Sequence, residues 1–195
     1  MNYYEMIRKN NEKLPIFFHN LPKLQIRVEI QDFLENFSQR QYVLERNNFI
    51  KKHPNIIKLY KEVPWGYTTE ETQECISTTF ENDPQYNNTL LRDMLINRGI
   101  FLQNTIDHLY NNSYAEIIYP KKDDIVIYYD SSLNKAMHFG KIIRHNQIRH
   151  KFGEFDIFDA TINAVPTAYG DRYFFIRKIN QSFPSHTLCT RSLPI

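Results

Sequence analysis

Glycine is scarce in this chain, with 5 in 195 residues against ordinary usage of about 7%. A chain so sparing places each glycine where backbone freedom or close approach is required. Gly140, Gly153 and Gly170 fall close together in the C-terminal half, which directs the search for a site there. Cysteine is scarcer: Cys75 and Cys189 are the two, and neither sits in a Cys-x-x-Cys pair. That argues against a disulfide framework or a zinc cage and for a reduced compartment at synthesis. No apolar stretch approaches the roughly 20 residues of a transmembrane helix. The start, Met1-Asn2-Tyr3-Tyr4-Glu5-Met6, has neither the basic nor the apolar region of a secretory signal. Charge of one sign is not in excess either. Basic residues number 24 and acidic 22, a formal +2, too even to point to nucleic acid or an anionic membrane as the main partner. No spacing suits a metal, and no cofactor is expected.

Hydrophobic residues make up 42% of the chain, enough to bury the core of one domain, or of one domain with a short appendage. Ile26, Ile30, Phe33, Leu34 and Phe37 form one helical stripe. A second helix is expected over 39–52, with Tyr42, Val43, Phe49 and Ile50 inward and His53-Pro54 as its stop. A short third helical segment, Asn55 to Glu62, follows. Residues 87–111 read as a helical hairpin or one broken helix, with Gly99 at the break. After Pro120 the apolar period changes from about four to two. Strands are expected over Ile125–Tyr129, His138–Ile143, Asn146–Phe152 and Tyr173–Arg177, with Asp130-Ser131-Ser132 and Arg144-His145-Asn146 as turns. Helices first and an antiparallel sheet later describe an α+β domain.

Three residues have chemistry to offer. Cys75 follows Trp65-Gly66-Tyr67-Thr68-Thr69-Glu70-Glu71-Thr72-Gln73-Glu74, a loop that leads into helix-initiating residues. A thiol near a helix N-terminus meets unpaired N–H groups and the positive dipole end, which favour the thiolate and can hold an oxyanion. Thr68 with Glu71 matches a capping box, which would set Cys75 two turns inside that helix. His138 opens a strand on one face with Gly140 and Ile142, and Gly140 is expected to leave open space beside the imidazole. His150 shares a strand face with Ile148 and Phe152, where it is either a satisfied core residue or the group that orients a neighbouring imidazole.

Asp123-Asp124-Ile125-Val126-Ile127-Tyr128-Tyr129, then His138-Phe139-Gly140-Lys141-Ile142-Ile143, then Asn146-Gln147-Ile148-Arg149-His150 resembles the NlpC/P60 pattern. That pattern runs Gly-Asp-Leu-Val, then His-hydrophobic-Gly-hydrophobic, then a turn and a strand ending in a polar residue. Trp65-Gly66 ahead of Cys75 is similar to the family's Trp-Gly-Gly loop ahead of Asp-Cys-Ser. The resemblance spans roughly residues 62–178. It implies a papain-like fold, with Cys75 as nucleophile, His138 as general base and His150 as orienting residue. Lys151-Phe152-Gly153 to Asp159, with Ala168-Tyr169-Gly170, resembles domains of this kind that carry another polar residue where Asp159 stands, so Asp159 is the rival third member. The departures are plain: Glu74-Cys75-Ile76-Ser77 replaces Asp-Cys-Ser-Gly, Tyr67 replaces a loop glycine, and Asp123 replaces the glycine of Gly-Asp.

The expectations are therefore an N-terminal helical region over 1–61, an NlpC/P60-like domain over 62–180 with a helical insertion near 87–111, and a tail over 181–195. The expected function is a thiol hydrolase of peptide or amide bonds, or an acyl transferase, acting on a peptide, protein or peptidoglycan-peptide substrate. A binding protein that kept the fold and lost the chemistry is the alternative. Without a Sec signal or wall-binding repeats, the expected location is the cytoplasm, or outside the cell by another export route as an effector. Lys135, Lys141, Arg144, Arg149 and Lys151 form an acid-free stretch. They are either a solvated strand face or a positive field near the thiol. Spacing favours His150 as the third member, since two adjacent antiparallel strands would bring it beside His138. A carboxylate's stronger hold on an imidazolium favours Asp159.

Overall fold

The computed structural model describes residues 17–36, 39–63, 79–80, 100–111, 114–152 and 156–179. Cys75, Cys189, the segment 87–99 with Gly99, Gly66, Gly153 and the expected tail lie outside the described residues. Among those described are three α-helices and nine strands, joined in one antiparallel sheet. The helices are α1 (Gln25–Glu35), α2 (Gln39–Lys52) and α3 (Leu102–Asn111). The strands are β1 (His19–Asn20), β2 (Ile57–Lys61), β3 (Ile100–Phe101), β4 (Tyr114–Ile117), β5 (Ile125–Asp130), β6 (Lys135–Arg144), β7 (Gln147–Lys151), β8 (Ile157–Thr161) and β9 (Arg172–Lys178). The sheet runs β1-β9-β5-β6-β7-β8-β2, with β3 added to β6 and β4 to β9.

The turns of the central meander follow from their residues. Asp130 Oδ1 accepts from the backbone N–H of Ser132 and Leu133 and from the Ser132 hydroxyl, a side-chain imitation of a turn. Asn146 holds a φ of 56° in the two-residue loop between β6 and β7, a conformation asparagine tolerates better than most residues. Between β5 and β6 the register shifts from Tyr128↔His138 to Tyr129↔Ala136. Met137 is therefore an extra residue, a β-bulge that sends Ala136 and His138 to opposite faces.

One face packs against α3. Leu102, Ile106 and Leu109 meet Ile125, Ile127, Tyr129, Phe139, Phe174 and Ile176, with Phe80 seated among them. The other face gathers Val126, Tyr128, Ile142, Ile148, Tyr173 and Phe175. Toward β7 and β8 it continues into Phe152, Phe158 and Ala160, covered by Ile30 of α1. Each such large side chain, fully buried, favours folding by roughly 2 kcal/mol.

α2 keeps the expected bounds, with His53-Pro54 as its stop. Tyr42 is buried as expected, but Val43 is 50% exposed and Arg46 is buried instead. Arg46 is inside because Asp156 is there to meet it: the guanidinium donates at 2.6 Å, and Asp156 also accepts from Tyr42 and from the Val63 backbone. Asn55 to Glu62 is not helical. It turns and becomes β2, whose pairing with β8 supplies hydrogen bonds that eight isolated residues could not make as a stable helix. β1 and β2 thus carry the N-terminal region into the sheet itself. Of the expected 87–111 helices, the described part is α3, preceded by the short strand β3. Asp159 stands in β8, a strand absent from those expected.

Candidate functional site

β6 and β7 pair with Ile142 opposite Ile148. Alternation from there puts His138, Gly140 and Ile142 on one face with Ile148 and His150. The imidazoles meet: His138 Nε2 lies 2.9 Å from His150 Nδ1, with the ring planes at 71°. His138 is 1% exposed and His150 0%. Tyr169 stacks on His138 with centroids 4.0 Å apart, Tyr128 flanks it, and Phe152 packs edge-on against His150 at 4.2 Å. Gly140 does not open space beside the ring. A Cβ there would meet Ile148 and Val126 at 3.3 Å and His150 at 3.4 Å. The glycine serves the close approach of β7 and β5 instead.

Tyr169 is held in place from α1. Arg27, fully inside, donates to the carbonyls of Val165, Pro166 and Gly170, which fixes the single turn Thr167–Tyr169 over His138. Gly170 makes this path possible. Its φ is 98°, and a Cβ would sit 2.2 Å from the Tyr129 carbonyl oxygen. The Tyr128 hydroxyl donates to Ile162 O at 2.7 Å and ties the same connection to β5.

Burial keeps both imidazoles neutral. It pushes His150 down to about 3. It also lowers His138 well below the ordinary imidazole range, and the nearby His150 adds to that effect. A neutral pair shares one proton across the 2.9 Å contact, which leaves two arrangements. If His138 Nε2 donates, His138 Nδ1 keeps a lone pair and can take a proton. If His150 Nδ1 donates, His138 Nδ1 carries a hydrogen and cannot act as a base. In either case His150 Nε2 is buried without a hydrogen-bond partner, which costs about 1–3 kcal/mol.

The remaining expected residues are placed as follows. Asp159 pairs with Arg149 across β8 and β7, and its carboxylate accepts two hydrogen bonds from that guanidinium at 2.8 and 3.0 Å. Because His150 pairs with Phe158 one step along, Asp159 points to the opposite face from the imidazoles. The structure therefore joins His138 with His150 and joins Asp159 with Arg149. Arg149 also lies over the Tyr60 ring at 3.2 Å, and Arg144 donates to Gln147. Lys151 is fully buried. Lys141, Arg149 and Lys151 share the sheet face opposite the imidazoles. Cys75 lies outside the described residues; Phe80, five positions on in the chain, packs against Phe139 on the α3 face.

Of the two residues that shape the pair, Tyr169 falls within a motif that carries the resemblance and Arg27 within none. Ala168-Tyr169-Gly170 carries a signal, since glycine after an aromatic in a loop marks a constrained approach. Arg27, by contrast, reads as the polar side of an amphipathic helix. At the start of β5, Asp123 takes a φ of 73°. Its neighbour Asp124 accepts two hydrogen bonds from Arg177 and one from the Lys121 backbone. No family model matches the chain, and no curated protein or solved structure matches it.

Proposed function

We propose that the chain is a cysteine-dependent hydrolase of peptide or amide bonds, or an acyl transferase using the same acyl-enzyme, with Cys75 as nucleophile, His138 as base and His150 as the residue that orients it. The observation that carries this reading is the 2.9 Å contact between His138 Nε2 and His150 Nδ1. A ring whose Nε2 donates to its neighbour keeps a lone pair on Nδ1 as the proton acceptor. His138 would take the thiol proton while sulfur attacks the carbonyl carbon, then return that proton to the leaving amine. Water, or an acceptor amine, would release the acyl group. The left-handed backbone of Asp123, at the position where the NlpC/P60 pattern has glycine, adds support. The expected substrates are peptides, proteins or peptidoglycan peptides, in the cytoplasm or after export as an effector.

A second reading, a binding protein without the chemistry, is favoured by the complete burial of both rings and the Tyr169 ring on His138. Iodoacetamide labelling of Cys75 against pH, in a Cys189→Ser background, separates the two. An apparent thiol pKa well below the free value of about 8.5, abolished by His138→Ala and weakened more by His150→Ala than by Asp159→Ala, is the expected result. Labelling at a model thiol's rate that ignores all three substitutions would overturn the hydrolase reading. Incubation with muropeptides and with cell lysate, read by mass spectrometry, then identifies the bond.

A further inference from the structure

A cavity of ≈ 560 Å³ lies between the start of α1, the turn from β5 to β6 and the connection into β9. Its walls are tied to one another. The Leu21 N–H donates to the Asp171 carbonyl at 2.7 Å, and the Asp171 carboxylate accepts from the Ser131 backbone and hydroxyl. Arg27 joins α1 to the same connection through the carbonyls of Val165, Pro166 and Gly170. Walls cross-linked in this way make a preformed cavity, as a ligand site requires. Leu24 and Val28, one helical turn apart, line it and are 41% and 42% exposed.

Two side chains give the cavity a chemistry. Arg27 lines it while only 5% exposed. A guanidinium carries one N–H on Nε and two on each terminal nitrogen. Nε donates to Val165 O, and Nη2 uses both its hydrogens on Pro166 O and Gly170 O. Nη1 makes no hydrogen bond among the described residues. A buried cation with donors unmatched is costly, and an acceptor in the cavity removes that cost. Asp130 lines the cavity from the β5–β6 turn. Its Oδ1 accepts from Ser132 and Leu133, which leaves Oδ2 to accept from a ligand. The volume suits a drug-sized ligand, nearer to a dipeptide than to a single amino acid. We propose that this cavity binds an apolar dipeptide as its zwitterion. The carboxylate accepts from Arg27 Nη1, the ammonium donates to Asp130 Oδ2, and the side chains rest on Leu21, Leu24 and Val28.

The site does not rest on the hydrolase reading, so the test uses the full chain with Cys75→Ser, which keeps the probes from being cut. Amide resonances are followed during titration with three peptides. These are Leu-Leu, acetyl-Leu-Leu, which lacks the ammonium, and Leu-Leu amide, which lacks the carboxylate. Leu-Leu is expected to shift the amides of Leu24, Val28, Asp130 and Gly170. It should bind about tenfold more tightly than either blocked peptide, since each of those loses one charge-assisted hydrogen bond. Asp130→Asn should remove the preference over acetyl-Leu-Leu and keep the preference over the amide, a split that general damage to the fold would not produce. Val28→Trp, at a half-exposed position of α1, should fill the cavity mouth and weaken all three peptides together. Equal binding of the three peptides, shifts that fall elsewhere, or no saturation at millimolar peptide would overturn the assignment. So would an Asp130→Asn protein that keeps the full preference for the free amine.

Discussion

Mild acid should destabilise this protein through its two buried imidazoles. An exposed imidazole in the unfolded chain titrates near 6.5. In the folded chain burial drives His150 down to about 3 and holds His138 well below its ordinary range. Folded-state values that are depressed leave stability fully present above the unfolded value and remove it as pH falls. Between pH 7 and pH 5 the unfolded chain takes up protons that the folded chain refuses, at about 2 kcal/mol for His150, and the depressed His138 adds to the loss in the same direction. Domain stabilities are about 5–15 kcal/mol, so the change consumes a large share. Urea unfolding followed by circular dichroism at the two pH values measures it. His150→Gln, which cannot take the proton, should shrink the gap by about 2 kcal/mol while the protein still unfolds cooperatively. A gap below about 1 kcal/mol in the natural sequence, or one that His150→Gln leaves unchanged, would refute the reasoning.

Gly170→Ala should lower stability by about 3 kcal/mol or more, because the new Cβ would combine a positive φ with a 2.2 Å approach to the Tyr129 carbonyl; a thermal melt reads this directly. Asp156→Ala should cost about 3 kcal/mol, since it leaves the buried Arg46 guanidinium only the exposed Glu62 carboxylate and the Asn47 side chain, and it strands the Tyr42 hydroxyl and the Val63 N–H. Arg46→Met with Asp156→Leu should recover much of that loss if the unpaired charge is the cause, as chemical denaturation of the double variant will show.

The sequence made some of this legible and hid the rest for physical reasons. Local patterns were readable: α2 between its bounds, the apolar run of β5, and the strand-turn-strand that sets His138 beside His150. Those features depend on neighbours in the chain. The elements that were missed depend on distant partners. Ile57 to Lys61 has no strong period, and only pairing with β8 makes it a strand. β4, four residues long, exists because β9 has an edge to offer. Gly140 reads as open space beside an imidazole, and that Ile148 and Val126 fill the space instead cannot be seen before the sheet is assembled. Asp159 looked available to an imidazole because β8 was not recognised. Once β8 pairs with β7, alternation gives its carboxylate to Arg149.

The pairing of β1 with β9 and of β2 with β8 has a consequence for how the chain is made. His19 finds Tyr173, and Ile57 finds Ala160, so early-synthesised segments have to wait at the ribosome for residues that emerge near the end of the described chain. Contacts of such long sequence separation close slowly, because the entropy of a large loop is lost before any contact energy is gained. Until then the edges of β2 and β5, which β8 and β9 later cover, and the apolar side of α1 are open to wrong partners. A ribosome-stalled chain ending before residue 172 should therefore bind chaperone and resist release. Release of the natural chain should come only after β9 has cleared the exit tunnel.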